Sequence, residues 1–387
     1  MIYLDNAATT PLHPSARAAM LPHLSEVYAN PSGVYSPARQ MRNVIDQMRQ
    51  TIAAGISANP TEVYFTSGGT EANNWALQGV LSVSHGKHII TSAIEHHAIY
   101  NLCEHLKTKG CEITYLPVDA QGFVSPQAVE DAIRPDTCLV SIMLANNEVG
   151  TILPLAQISE ITKKHRIPLH TDAVQAIGHI PVSVNEIGVD LLSLSAHKFY
   201  GPKGVGALYI RKGTKIASVM HGGMQERGRR AGTENIMGIV GMGAALTASL
   251  EEMPDEYVRL SALRDRLINE ILTQIPHAQL NGPTGDARLP GNVNISFRFI
   301  EGESLLLHLD MQKCYASTGS ACSSGSLDPS HVLMSLGLCH ELANGAIRFS
   351  LGRESTDSDI DKLMTILKPT VQKLRDLSPL YDDYIRR

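Results

Sequence analysis

The run Val189-Asp190-Leu-Leu-Ser-Leu-Ser195-Ala196-His197-Lys198 carries an apolar strand into a turn of small and hydroxyl-bearing neighbours. A lysine desolvated at such a place has its pKa lowered, so the neutral amine can condense with an aldehyde. An ordinary lysine is a solvated surface charge. The strand-end position and the Ser-x-His-Lys setting argue against that reading for Lys198. A second reactive group is Cys322, within Ser317-Thr-Gly-Ser-Ala-Cys-Ser-Ser-Gly-Ser326. That run is too small and polar to bury a thiol, and it suits a nucleophile that must travel. The other five cysteines, Cys103, Cys111, Cys138, Cys314 and Cys339, are expected to be small buried hydrophobes. Ser67-Gly-Gly69-Thr70 ends one strand and opens a helix, where backbone N–H groups and the helix dipole favour an anion. A plain glycine turn reads equally well from those residues alone.

These groups need a scaffold to bring them together. Short apolar runs at Glu62–Thr66, Lys87–Ser92, Cys111–Pro117, Cys138–Leu144, Ile167–Asp172, Leu191–Ser195 and Gly206–Ile210 read as strands. Helical spacing of apolar residues at Glu71–Val83, Ala98–Thr108, Pro126–Ile133 and Leu155–His165 separates most of them. This alternation predicts an α/β fold with a mostly parallel seven-stranded sheet covered by helices, and ligands at the carboxyl ends of the strands. A helix over Glu256–Gln274, strands near Asn292–Phe299 and Ala346–Ser350, and a last helix over Asp357–Asp376 form a different pattern. The expected division is a large domain of residues 16–254 and a smaller α+β domain of residues 1–15 and 255–387.

Composition narrows the chemistry. The 387 residues carry 33 Lys and Arg against 38 Asp and Glu, a net charge of −5, which argues against a nucleic-acid binder. Six cysteines without a Cys-x-x-Cys pair suit a reducing compartment. The start has neither a basic segment nor a long apolar one, and the uncharged stretch Ile236–Leu250 is shorter than the ~18–20 residues that span a bilayer. A cytoplasmic protein that binds neither membrane nor nucleic acid is expected. Gly201-Pro-Lys-Gly204-Val-Gly206 and Gly238-x-x-Gly241-x-Gly243 have the wrong order for a dinucleotide loop, no P-loop is present, and the sixteen histidines show no metal-ligand spacing.

Beyond these readings, the chain resembles the pyridoxal-phosphate enzymes of the class V aminotransferase type, and within them the cysteine desulfurases of the NifS/IscS family. The resemblance rests on the lysine run above and on Tyr3-Leu-Asp-Asn-Ala-Ala-Thr-Thr10, Thr66-Ser-Gly-Gly-Thr-Glu71, Glu95-His96, Asn146-Asn147-Glu148-Val-Gly150, Asp172-Ala-Val-Gln175, Arg230-Ala-Gly-Thr-Glu-Asn235, Ser320-Ala-Cys322-Ser-Ser-Gly-Ser and Ile347-Arg348-Phe-Ser. It covers nearly the whole chain and implies the fold type I architecture of these transferases.

The roles that follow are implied by that resemblance. Lys198 would hold pyridoxal 5′-phosphate and move the substrate's α-proton. Asp172 would pair with the protonated pyridine nitrogen, although an Asp after a strand also reads as a helix N-cap. Gln175 would bond the phenolic oxygen and His96 would stack on the ring, while His97 reads as a helix-start residue. Gly69, Thr70, Ser195 and His197 would hold the phosphate. Thr233 would reach the phosphate of a neighbouring subunit, implying a homodimer. Asn147 would stand near the phenolic oxygen and the substrate, and Arg348 would take the carboxylate of L-cysteine in its planar fork. Cys322 would attack the substrate sulfur to give a persulfide and L-alanine. The sulfur would then pass to an acceptor protein such as an iron–sulfur scaffold. No metal site is expected beyond Cys322 as a transient iron–sulfur ligand. Selenocysteine lyase or another class V enzyme is the alternative. Two features depart from the family pattern: Tyr35 stands where a histidine is common, and little chain follows Leu377-Ser-Pro-Leu-Tyr381.

Overall fold

A computed structural model describes residues 1–318 and 329–386. In chain order the strands are β1 (Ile2–Tyr3), β2 (Val63–Thr66), β3 (His88–Ser92), β4 (Glu112–Leu116), β5 (Thr137–Ser141), β6 (Leu169–Asp172), β7 (Leu191–Ser195), β8 (Gly206–Ile210), β9 (Ala278–Leu280), β10 (Asn292–Phe297), β11 (Cys314–Tyr315) and β12 (Ala346–Ser350). Seven form the central sheet in the order β2-β8-β7-β6-β5-β3-β4. Pairs along β4-β3-β5-β6-β7 are parallel, and only β8 runs against its neighbours β7 and β2.

Strand residues alternate between two apolar layers, as the two-residue period requires. Tyr64, Ile89, Leu139, Leu191, Leu208 and Ile210 meet Trp75, Leu77, Ile99 and Leu102 of the helices Gly69–Val83 and His97–Lys107. Phe65, Ile90, Val140, Leu169, Leu192, Leu194 and Tyr209 face the opposite layer, which includes Ile45, Ile52, Ile158, Ile239 and Leu246. Burial on both faces explains why these strands read as continuous apolar runs. A second core surrounds the antiparallel sheet β12-β10-β9. It gathers Ile2, Leu4, Leu263, Leu267, Val293, Ile295, Leu305, Phe349, Leu363 and Val371.

Three expectations are corrected. The helix expected over Glu256–Gln274 begins twenty residues earlier and runs unbroken as Ile236–Gln274, with Pro254 inside it. Proline removes one helical hydrogen bond, a local cost outweighed by burial along both halves of the helix. Ile239, Met242 and Leu246 enter the large core, and Leu263, Leu267 and Ile271 the second. By length and composition this helix could cross a membrane, yet 56 % of its most apolar window is buried within the protein. The helix Ser36–Gly55, which carries Met41, Ile45 and Ile52 into the core, was not anticipated. Of the five cysteines expected to be buried, Cys339 is exposed.

Candidate active site

The ends of five parallel-running strands converge. Thr66 of β2 and Ser195 of β7 both pair with Gly206 at the start of β8, so the turns after β2 and β7 lie side by side. From β7 the chain makes one tight turn, Ala196–Lys198, and the lysine Nζ donates to the backbone carbonyls of Ala7 (2.6 Å) and Ala8 (2.7 Å). Gln175 Nε2 donates to the same Ala7 carbonyl at 2.9 Å, which joins the turn after β6 to the lysine. The segment Asp5–Thr10 thus roofs this end of the sheet. Thr10 Oγ1 donates to the His197 carbonyl, and Thr9 Oγ1 lies 3.2 Å from His197 Nδ1. Burial and the nearby Lys198 and Lys203 charges push the His197 pKa down to about 4, so its imidazole is neutral.

Asp172 closes β6 and is 5 % exposed. One of its oxygens accepts from the Val174 N–H at 3.0 Å, the other from Asn73 Nδ2 at 2.6 Å. His96 caps the helix His97–Lys107, its Nδ1 accepting from the Ala98 N–H at 3.1 Å. Burial lowers the His96 pKa, Asp172 opposes that shift and Lys198 adds to it. The neutral ring, with Nδ1 committed as acceptor, carries its proton on Nε2.

The Ser67–Thr70 turn has the form of an anion cradle. Helix Gly69–Val83 opens on it, and first-turn N–H groups have no acceptor within the helix. Gly68 adopts φ +155°, ψ −177°, a region essentially restricted to glycine. A Cβ at Gly69 would meet Val174 Cγ2 at 2.7 Å, and one at Gly206 would meet Gly68 Cα at 2.8 Å. Gly69 passes Val174, and Gly206 passes the Leu194 carbonyl and Gly68, too closely for side chains. Thr70 is exposed beside the cradle. Glu71 Oε2 accepts from the Ser67 N–H at 2.7 Å, and its carboxylate forms a two-bond pair with Arg230. Thr233, three residues beyond Arg230, is exposed.

Arg348 projects from β12. Its Nη1 donates to the Asn147 carbonyl and its Nη2 to Asp5 Oδ1, each at 3.0 Å. Arg348 Nε and Asn147 Oδ1 are buried without a partner among the described residues. Such orphaned groups in a native fold point to a ligand or water. Cys322 lies outside the described residues, but both flanks of 319–328 are tied to this site. Ser317 exchanges two backbone hydrogen bonds with Arg348. On the other side Ser330 Oγ donates to Glu148 Oε2, next to Asn147, and His331 Nε2 lies 2.9 Å from the carbonyl of Glu95, next to His96.

Residue types in the sequence did not single out Asn73, Asp5, Glu95 or the two alanine carbonyls. Asn73 carried a signal, an amide on the apolar face of a helix; a backbone carbonyl carries none. Glu95 is fully buried. Its Oε1 accepts from Ser92 Oγ (2.6 Å) and the Met143 N–H (2.9 Å), and Oε2 has no partner among the described residues. Burial pushes its pKa up to about 8 against the pull of those two bonds. The folded state therefore holds it neutral, while the unfolded chain ionises from its ordinary value of 4.5. Stability should fall as pH rises between these two values and level off above them. Glu95→Gln removes that dependence, so its melting temperature should gain on the parent's between pH 5 and pH 8. Parallel melting curves across that range would show Glu95 charged in the fold.

A cleft of about 580 Å³ opens at the opposite ends of the strands and is lined by Lys163, Arg166, Asp190, Arg211, Lys212 and Lys215, none of them a residue of this site.

The match to known proteins is full-length. The family model for aminotransferase class-V spans residues 2–363. A "Cysteine desulfurase IscS" from Dictyoglomus turgidum is 53 % identical over 385 residues, 99 % of this chain and 98 % of the relative. The chain belongs to the class-V aminotransferase family, in its NifS/IscS branch. Among solved structures, a "NIFS-LIKE PROTEIN" superposes with a TM-score of 0.89 at 37 % identity, covering 96 % of this chain and 99 % of that one. "SspA in complex with cysteine" gives 0.80 at 36 % identity, over 91 % and 99 %.

Proposed function

We propose that the protein is a pyridoxal-phosphate-dependent cysteine desulfurase, which converts L-cysteine to L-alanine and leaves the sulfur as a persulfide on Cys322. The observation that carries this reading is the meeting of two sets of groups. Lys198, Asp172 and Gln175 converge at the strand ends, and both flanks of the Cys322 segment are tied to Arg348 and to the neighbours of Asn147 and His96. The site fits the cofactor: a glycine cradle for an anion, an ionisable amine, a carboxylate held by two donors, and the orphaned Asn147 Oδ1.

When bound, the cofactor supplies an electron sink for negative charge at the substrate's α-carbon. The chain's groups do the rest. Ser67–Thr70, Ser195 and His197 hold the phosphate, and Asp172 balances the charge on the ring nitrogen. Arg348 takes the substrate carboxylate, for which its Nη2 now has a stand-in in Asp5 Oδ1. Lys198 Nζ holds and returns the α-proton, because two carbonyl acceptors suit its ammonium form. The Cys322 thiolate attacks the substrate sulfur, the C–S bond breaks, and the carbon fragment takes protons to become alanine. The sum is Cys322–SH plus cysteine giving Cys322–S–SH plus alanine, with no external oxidant. Two thiol equivalents then release sulfide and form a disulfide, or an acceptor protein such as an iron–sulfur scaffold takes the sulfur.

Three further assignments complete the proposal. The enzyme works as a homodimer in which the exposed Thr233 reaches the partner's phosphate. It acts in the cytoplasm. Cys322 is also the group that would hold an iron–sulfur species in transit. The test is product stoichiometry: purified yellow protein given L-cysteine and a thiol should release sulfide and alanine in equal amounts. A yellow protein releasing neither would overturn the assignment and direct the next assay to selenocysteine.

A further inference from the structure

Helix Gly69–Val83 turns an apolar face to the sheet, and Asn73 sits on it among Ala72, Trp75, Ala76 and Leu77 at 1 % exposure. An amide at such a place weakens the helix and loses its water. What it makes in return is a single short hydrogen bond, Nδ2 to Asp172 Oδ2 at 2.6 Å, while its own Oδ1 has no partner among the described residues. The amide orientation is decided by the acid, since the reversed amide would set oxygen against a carboxylate oxygen. The other contact on Asp172 is the Val174 N–H on Oδ1. Each carboxylate oxygen thus has one fixed donor, which sets the plane of the group and leaves its remaining lone pairs to the site.

We propose that Asn73 is a positioning residue for Asp172, holding that carboxylate oriented toward the cofactor's ring nitrogen. This rests on the cofactor-binding reading of the site and adds to it a residue that never touches the cofactor. Among the described residues, the polar side chains of the neighbouring strands are committed elsewhere. His170, two residues before Asp172, lies between Ser141 Oγ (2.8 Å) and Ser193 Oγ (3.0 Å), and burial keeps it neutral. Ser141 and Ser193 belong to the two flanking strands and are both committed to it. The titratable groups that face this part of the site include Glu95, held neutral by burial, His96, committed to its helix cap, and Lys198, whose charge acts on the same His96 ring as that of Asp172.

Two substitutions separate a donor requirement from a packing requirement. Asn73→Ala removes the donor at every pH. Asn73→Asp sets a second carboxyl against Asp172. While the two share one proton the new group still donates, and once that proton is lost two like charges face each other. The readout is the dissociation constant of pyridoxal 5′-phosphate from each refilled apoprotein, measured at pH 6 and pH 9, with melting of the apoproteins as a check on folding. Expected are an Asn73→Ala protein that melts within a few degrees of the parent and binds the cofactor about tenfold more weakly at both pH values, the size of one lost hydrogen bond to a charged group. Asn73→Asp should bind within about twofold of the parent at pH 6 and more than tenfold weaker at pH 9. Parent-like affinity in both variants at both pH values would overturn the proposal while leaving the cofactor reading intact. Should Asn73→Ala fail to fold, a pH-independent affinity in Asn73→Asp overturns it equally. A parent protein that takes up no cofactor would overturn both.

Discussion

Cys322→Ala should keep the yellow colour and the cofactor affinity of the parent, bind L-cysteine, and release sulfide at least 10³-fold more slowly. The groups proposed to hold the cofactor, Lys198, Asp172, Gln175 and the Ser67–Thr70 cradle, stand on strand ends and tight turns of the sheet. Cys322 lies outside the described residues, and the flanks of its segment are tied to the site by Ser317 on Arg348 and by Ser330 on Glu148. Removing the thiol therefore takes away the nucleophile alone, and a lost covalent nucleophile is among the largest single effects a substitution can produce. Sulfide release measured beside the visible spectrum checks it. Parental turnover in Cys322→Ala would rule out the persulfide route.

Lys198→Ala is expected to abolish turnover, by 10⁴-fold or more, and to remove the visible band of the bound cofactor. On the proposed assignment the amine is both the covalent anchor and the group that carries the substrate proton, so one truncation removes two functions. Its geometry shows why no neighbour replaces it. His197 points to Thr9, and His179 lies 2.8 Å from the Lys198 backbone carbonyl rather than along its side chain. Ala7 and Ala8 offer only acceptors. A spectrum of the refilled variant, with activity measured at the same time, checks both parts. Partial rescue by added small primary amines would identify the missing proton carrier.

The sheet was legible in the sequence because burial on both faces writes itself as short apolar runs. Leu191–Ser195 and Gly206–Ile210 appear in the structure with the bounds expected, and the others differ by one to three residues at an end. Lys198, Asp172 and the Ser67–Thr70 turn were legible for the same reason, since each closes or follows such a run. Helix Ile236–Gln274 was legible only in part. Pro254 is a local stop signal, and its cost is overridden by two separate cores that no window of sequence contains. The exposure of Cys339 was likewise decided by where a short helix meets the surface.

What the sequence by itself determined, then, is which residue types stand at the strand ends, a lysine, an aspartate and a glycine turn, and which stands within a strand, an arginine, in an order that carries the family resemblance. Only the tertiary structure decided what each of them touches. Residues 5–10 and 348 come from opposite ends of the chain; their contacts with Lys198, His197 and Asn147 span 187 to 201 positions, and the contact of Arg348 with Asp5 spans 343. Ala7 and Ala8 act through carbonyls that every residue possesses, and Asn73 acts through a partner 99 positions away. Such pairings depend on how the sheet brings distant turns together, and side-chain identity alone cannot encode them.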